Sequence, residues 1–402
     1  MSDFAVRVLD EPEYRPAQDM FRRALHKGTT TDDEWAQLGP TFAPGRFLAA
    51  FSEGTIVGTA YSFVFEMLVP GGRMVRTMGV SRVGVRADHT RRGVLTELMR
   101  YQLAEAKARG DVIAALNASE AVIYGRFGYG PGTYGRELRM RGARLHPGVP
   151  RAGEVRFVTG DEAVSLLPGL YEKIGLDRPG MLLRDDGAWA LINRFLRPNP
   201  TLYAVVHSGP DGDDGYLLYK TESLADPANP DHDNKVVVEE LQAANPGAYN
   251  DLVRFVLGLD LVGEVYFESR ALDEKPELLL QDVRTCRTAV VQDELWIRLI
   301  DVESALAART YGSAPPVVIK VNDAFLPENT GTYGISPSGA ARVSGSAALV
   351  LDASALAMIY LGSVKPSELA AAGRLQVLDP SALPHADKLF GCDTVAWCGT
   401  FF

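Results

Sequence analysis

The stretch Val83-Gly84-Val85-Arg86-Ala87-Asp88-His89-Thr90-Arg91-Arg92-Gly93-Val94-Leu95 reads as a strand that runs into an anion-binding loop and then a helix. Val80, Val83 and Val85 are β-branched residues closing a strand pattern, polar residues follow, and Arg91-Arg92-Gly93 opens a periodic run. The first amides of a helix lack intrahelical acceptors and lie at the positive end of its dipole, so an anion belongs at that junction. Gly93 lets a ligand approach the backbone, and Arg91 and Arg92 add fixed positive charge. Val94, Leu95, Leu98, Met99, Leu103 and Ala106 recur at three- and four-residue spacings, Gly110 falls where a C-terminal cap is expected, and a second strand follows over 112–116. An ordinary βαβ crossover with a solvated basic turn fits the same pattern, so the stretch alone leaves both readings open.

Length and composition bound the rest. A chain of 402 residues exceeds one ordinary core, so two or three domains are expected. Hydrophobic residues at 46% and charged residues at 23% are those of a globular protein, and without an apolar run long enough to span a bilayer the expected location is cytoplasmic. Cys286, Cys392 and Cys398 are too few and too scattered for a disulfide framework or a metal site. Residues 1–150 carry 20 Lys and Arg against 16 Asp and Glu, and the remainder 21 against 35, within a net charge of −10. That balance argues against nucleic acid as a partner and suits a cationic small molecule.

In chain order, 4–9 reads as a strand and 12–26 as a helix broken at Pro16. A polar stretch containing Trp35 follows as a loop, where the indole is either local packing or a pocket wall. Strands over 46–51 and 55–68 meet at a turn at 52–54, and a second turn, Pro70-Gly71-Gly72, returns the chain into 74–85. This order of strands and helices makes a mixed α/β sheet.

The strand, arginine-glycine loop, helix and strand together resemble the acetyl-CoA-binding core of the GNAT acyltransferases, whose loop signature is Arg/Gln-x-x-Gly-x-Gly/Ala. Thr90 and Leu95 depart from it at the first and last positions. Further on, Ser119-Glu120 and Ile123-Tyr124-Gly125-Arg126-Phe127-Gly128-Tyr129-Gly130 resemble the corresponding segment of the Eis (enhanced intracellular survival) family, GNAT enzymes that acetylate amines of aminoglycosides. Tyr360-Leu361-Gly362 and the aromatic last residue extend the resemblance over essentially the whole chain.

It implies acetyl-CoA as co-substrate, held by the backbone of Val83, Val85, Gly93 and Val94 with Arg91 and Arg92. It also implies Tyr124 as general acid, the carboxylate of Phe402 as base, and a homo-hexamer. Independently of the family, acetyl transfer from a thioester needs a neutral amine and a proton for the departing thiolate, and a phenol is a neutral donor at pH 7. A core tyrosine is the alternative for Tyr124, and a tail staple the alternative for Phe402. Ser119 and Glu120 are expected to shape the acetyl and substrate sides of the cleft, although Glu120 equally suits a helix N-terminus. Trp35, Arg82, Glu120 and Phe401 complete the expected substrate pocket. Arg82 stands where the family has an aromatic residue and Phe401 where an acidic one occurs, so the pocket is expected to be less attractive to a polycation.

Residues 151–285 repeat the first domain in outline without its arginine-glycine loop, because Gln242-Ala243-Ala244-Asn245-Pro246-Gly247-Ala248 brings no positive charge to the next helix. Segments 211–215 and 226–234 read as surface loops. The expected organisation is therefore a catalytic GNAT domain over 1–150, a degenerate one over 151–287, and a sterol carrier protein-like domain over 288–402. The rivals to an amine N-acetyltransferase of aminoglycoside-like substrates are an enzyme for protein lysines or polyamines, and a non-enzymatic acyl-CoA or lipid binder.

Overall fold

The structure, a computed structural model, describes residues 4–196, 202–224 and 234–402. It divides into two compact units, Met1–Thr133 with Arg178–Leu191 and Asp293–Phe402, and Tyr134–Asp177 with Ile192–Gln292.

The first unit is built on an eight-stranded mixed sheet. Its leading strands are β1 (Ala5–Val8), β2 (Phe47–Ser52), β3 (Thr55–Val69), β4 (Arg73–Val85) and β5 (Ile113–Asn117), followed in the sheet by Leu295–Leu299 and Gly130–Pro131. β1 to β4 are antiparallel neighbours, and β4 and β5 are parallel, joined by α3 (Val94–Ala108). Val94, Leu98, Met99, Leu103 and Ala106 form the buried face of α3 against Val57, Ala60, Met78 and Val80. Full burial of side chains such as Leu98 and Leu103 contributes about 1.5–3 kcal/mol each. The opposite face carries Tyr61, Phe63, Phe65, Met67 and Val69, the alternate residues of β3, and merges into one core with the C-terminal region. That region holds a five-stranded sheet, including Val317–Asn322 and Leu349–Asp352, with the buried helix Ala353–Tyr360.

The second unit is a seven-stranded sheet in the order Cys286–Asp293, Tyr134–Met140, Val262–Ala271, Asn234–Ala243, Gly212–Ser223, Tyr203–Gly209, Glu154–Val158. Its parallel pair, Asn234–Ala243 with Val262–Ala271, is joined by the helix Pro246–Leu257, which repeats the β4–α3–β5 arrangement. Among the described residues no helix is long and apolar enough to cross a membrane.

Several local expectations are corrected. Pro16 does not break the first helix: a 3₁₀ turn at Glu11–Glu13 leads into α1 (Tyr14–Ala24), and Pro16 sits in its first turn, where a missing N–H costs nothing. Trp35 lies not in a loop but in α2 (Asp32–Leu38), because the Thr31 side chain accepts the Glu34 N–H while Glu34 accepts that of Thr31. Segment 211–215 is largely strand, with Asp213 and Asp214 tied to Ser208 and His207. Most of the expected loop at 226–234 lies outside the described residues.

Candidate active site

The parallel ladder between β4 and β5 is short: Thr77 faces Ile113, Met78 faces Ala114 and Gly79 faces Ala115. β4 then continues to Val85 against β3, while β5 continues to Asn117 against Leu295–Leu299. Beyond Gly79 the two strands part, and among the described residues no strand pairs with that edge of β4. An open edge offers backbone N–H and C=O groups to an extended, amide-bearing chain, which is the chemistry of the pantetheine arm of coenzyme A.

A bulge lies along this open stretch. Thr59 faces Gly84 and Tyr61 faces Ser81, so Arg82 and Val83 together oppose Ala60. Arg82 adopts φ of 49°, and the Thr59 hydroxyl donates to its carbonyl at 3.0 Å. Plain alternation from Met78 and Val80 would send Arg82 into the α3 side. The extra residue instead returns Val83 and Val85 to that side and turns the Arg82 guanidinium onto the other.

The loop after β4 delivers the helix N-terminus. Arg91 has φ of 60° and Gly93 φ of 92°, and the Glu97 N–H to Gly93 carbonyl bond opens α3, so the amides of Gly93 to Thr96 precede its regular ladder. Arg91, Arg92 and Gly93 are exposed, while Val94 is buried and anchors the turn. Exposed charge, free amides and a positive dipole end suit a pyrophosphate. The matching helix of the second unit lacks these features. There Asn245 accepts the Ala248 N–H at 3.0 Å, Pro246 has no N–H, and Asp214 takes the Asn245 amide at 2.8 Å. A carboxylate near the helix start disfavours an anion.

Tyr124 ends α4 (Ala121–Tyr124) within the α3-side core, its ring edge-on to Tyr129 at 5.9 Å. Burial, then the charge of Glu120, push its phenol up to about 12. Ser119 and Glu120 are exposed in the turn before it, and Glu120 makes no side-chain cap despite preceding the helix.

On the other face an aromatic row runs across the sheet. Trp35 stacks on Phe42 at 5.8 Å, Phe42 meets Tyr61 edge-on at 5.1 Å, and Tyr61 meets Phe63 at 5.0 Å. The Phe402 ring closes the row, 5.9 Å from Phe63 and 4.9 Å from Phe65. The Arg82 guanidinium lies 4.6 Å from the Phe42 ring, 4.9 Å from Tyr61 and 5.4 Å from Phe63. Gly79, last residue of the β4–β5 ladder, lies beneath: a Cβ there would stand 2.3 Å from the Phe65 ring and 3.1 Å from that of Phe402. Aromatic pairs of this kind contribute about 0.5–1.5 kcal/mol each, enough to seat the Phe402 ring.

Upstream of Phe402 the tail is held at successive residues. Trp397 N–H donates to the Pro179 carbonyl at 2.9 Å. The Cys398 and Gly399 amides donate to the two oxygens of Glu294 at 3.1 and 3.0 Å. The Thr400 hydroxyl accepts from Arg184 Nε and Nη2 at 3.2 and 3.1 Å.

Comparison with known proteins agrees with this geometry. Residues 5–132 and 180–299 match models of the acetyltransferase (GNAT) domain, and residues 302–399 match the sterol carrier protein domain. The chain is 33% identical to the N-acetyltransferase Eis of Mycobacterium tuberculosis, over 91% of each chain. It belongs to the Eis family of N-acetyltransferases. It is also 34% identical to an uncharacterized N-acetyltransferase of Streptomyces avermitilis over 98% of each chain. The crystal structure of Eis1 from Mycobacterium abscessus superposes with a TM-score of 0.88 at 34% identity, covering 99% of this chain and 100% of that one. As a GNAT acetyltransferase the protein uses acetyl-CoA, and its fold is two GNAT domains with a sterol carrier-like third.

Within this Eis-family enzyme, the structure brings Trp35, Arg82 and Phe402 into one aromatic row. Val83, Val85, Arg91, Arg92, Gly93 and Val94 lie along one strand–loop–helix path, and Ser119, Glu120 and Tyr124 follow β5. Phe401 is not part of the row, being 85% exposed. Sequence reasoning passed over Phe42, Tyr61, Phe63 and Phe65. The alternation Tyr61-x-Phe63-x-Phe65 was the available signal. It also passed over Glu294 and Arg184, whose contacts span more than a hundred positions and leave no local trace.

Proposed function

We propose that this enzyme acetylates amines of aminoglycoside-like or other cationic small molecules by direct transfer, with Tyr124 as acid and the Phe402 carboxylate as base. The observation that carries the reading is the seating of Phe402 over Gly79, where β4 and β5 part. Tyr124 belongs to the α3-side core and Phe402 to the opposite one, so acid and base approach the parted strands from different sides. The incoming ammonium gives one proton to the carboxylate, and the neutral nitrogen attacks the thioester carbonyl. As the C–S bond breaks, sulfur takes the phenolic proton of Tyr124, and the phenolate recovers a proton from the now cationic nitrogen.

That second transfer is needed on energetic grounds. Burial pushes the Tyr124 phenol up to about 12, above the ordinary thiol value of roughly 8.5, so protonating a free thiolate alone would run uphill. Tyr124 therefore acts as a relay from nitrogen to sulfur. The terminal carboxylate is intrinsically a weak base, with an ordinary value of roughly 3.5.

A second reading is a substrate with fewer charges, such as a peptide lysine, because Arg82 lies over the Phe42, Tyr61 and Phe63 rings and takes aromatic surface that would otherwise face a cationic substrate. A thiol-release screen with acetyl-CoA against aminoglycosides, polyamines and lysine peptides separates the two. Turnover confined to peptides selects the second reading, and binding of acetyl-CoA without release to any amine rejects both. The homo-hexamer implied by resemblance is tested by light scattering.

A further inference from the structure

We infer that Glu294 is the positioning residue for the acyl-transfer base, a clamp whose carboxylate fixes where the Phe402 carboxylate stands. The inference rests on the reading of that carboxylate as the base. Glu294 Oε2 accepts the Cys398 N–H at 3.1 Å and the Thr133 hydroxyl at 3.1 Å, and Oε1 accepts the Gly399 N–H at 3.0 Å. Two consecutive backbone amides on two oxygens of one carboxylate fix the direction of the chain as well as its place.

The clamp is itself held. Glu294 N–H donates to the Thr133 carbonyl at 3.0 Å, and its carbonyl accepts Asn117 Nδ2 at 3.2 Å. Leu295, the next residue, pairs with Asn117 at the end of β5. Glu294 is thus fixed immediately before the strand Leu295–Leu299, which pairs with β5. Gly399 takes φ of 64°, and a Cβ there would stand 2.2 Å from the Trp397 ring, so the chain doubles back over the indole just where the clamp grips it. Arg184 holds the Thr400 hydroxyl, its guanidinium over the Trp189 ring at 4.9 Å. Phe401 points to solvent and adds no anchor. The position of the terminal carboxylate follows from Glu294, Arg184 and the seating of the Phe402 ring.

A glutamine at 294 keeps the shape but turns an NH₂ toward an amide N–H, setting donor against donor. The test uses full-length Glu294→Gln and Glu294→Asp, with Thr400→Val as a second route that removes the acceptor of Arg184 at similar volume. Tail release is read as the rate at which carboxypeptidase A removes Phe402, followed by intact mass. Turnover is read with the best amine from the thiol-release screen. Glu294→Gln is expected to be trimmed at least tenfold faster and to lose at least tenfold in kcat, with KM for acetyl-CoA within twofold. Glu294→Asp, which keeps both oxygens, should recover part of the kcat, and Thr400→Val should move both readouts in the same direction as Glu294→Gln. Unchanged trimming in both Glu294→Gln and Thr400→Val overturns the clamp. Faster trimming with wild-type kcat overturns the base reading instead and leaves Glu294 as a tail anchor without a role in transfer.

Discussion

Tyr124→Phe isolates the proposed acid, because it removes one oxygen and keeps the ring. Tyr124 is 7% exposed and packs edge-on against Tyr129 at 5.9 Å, contacts that phenylalanine reproduces. Among the described residues its hydroxyl makes no hydrogen bond, so Tyr124→Phe breaks none and folding stability should change by less than about 1 kcal/mol. Turnover is different. A positioned acid contributes roughly 10²–10⁴-fold, which is about 3–5 kcal/mol of barrier. The expected outcome is a kcat lower by that factor, with acetyl-CoA affinity by calorimetry within twofold and an unchanged melting temperature. The pH dependence carries a sign. Folding raises the Tyr124 value from 10.0 to about 12, so the phenol keeps its proton through ordinary alkaline assay conditions. The stability linked to that shift is complete below pH 10 and fades as pH rises toward 12, and Tyr124→Phe should lack this alkaline component. A folded Tyr124→Phe protein with turnover within threefold of the wild type would return Tyr124 to the core and refute the relay.

Replacing both Arg91 and Arg92 with alanine should weaken acetyl-CoA binding by tenfold or more at low salt. A charged hydrogen bond is worth about 1.5–3 kcal/mol before screening, and both side chains are exposed, so the loss should shrink with added salt; unchanged calorimetric affinity would remove this loop from the site. Gly79→Ala forces a methyl group to 2.3 Å from the buried Phe65 ring and 3.1 Å from Phe402. Denaturant unfolding should show a cost of about 1–3 kcal/mol, with turnover falling as Phe402 shifts; an unperturbed protein would mean that the Phe402 ring is not seated there.

The β4–loop–α3–β5 unit was legible because each of its signals is local: alternation in the strand, charge and glycine in the turn, and a helical repeat after it. The capping box that makes α2 a helix was equally local, in Thr31 and Glu34, and polarity hid it by imitating a loop. The direction of Arg82 was not legible, since a one-residue bulge reverses the face that alternation assigns. Glu294 left no pattern either. Its partners lie 104 and 105 positions away in the tail and 161 away at Thr133, and only the folded chain brings them together. The aromatic row lies between these cases. Tyr61, Phe63 and Phe65 alternate visibly along β3, but Trp35, Phe42 and Phe402 join them from distant segments.

The terminal carboxylate of Phe402, held by the tail, is proposed as the base of acetyl transfer. A few residues appended after Phe402 replace that charged acceptor with a neutral amide and push bulk toward the parted strands, whereas Phe402→Leu keeps the carboxylate and changes only its seat. The decisive measurement is kcat for matched N-terminally and C-terminally extended proteins, with melting temperature and acetyl-CoA affinity as controls. The C-terminal extension is expected to stay folded and bind acetyl-CoA, yet to lose most amine acetylation and be worse than Phe402→Leu, while the N-terminal extension is harmless. Equal turnover of the two extended proteins would contradict it, reducing Phe402 to a tail anchor and sending the search for the base elsewhere in the pocket.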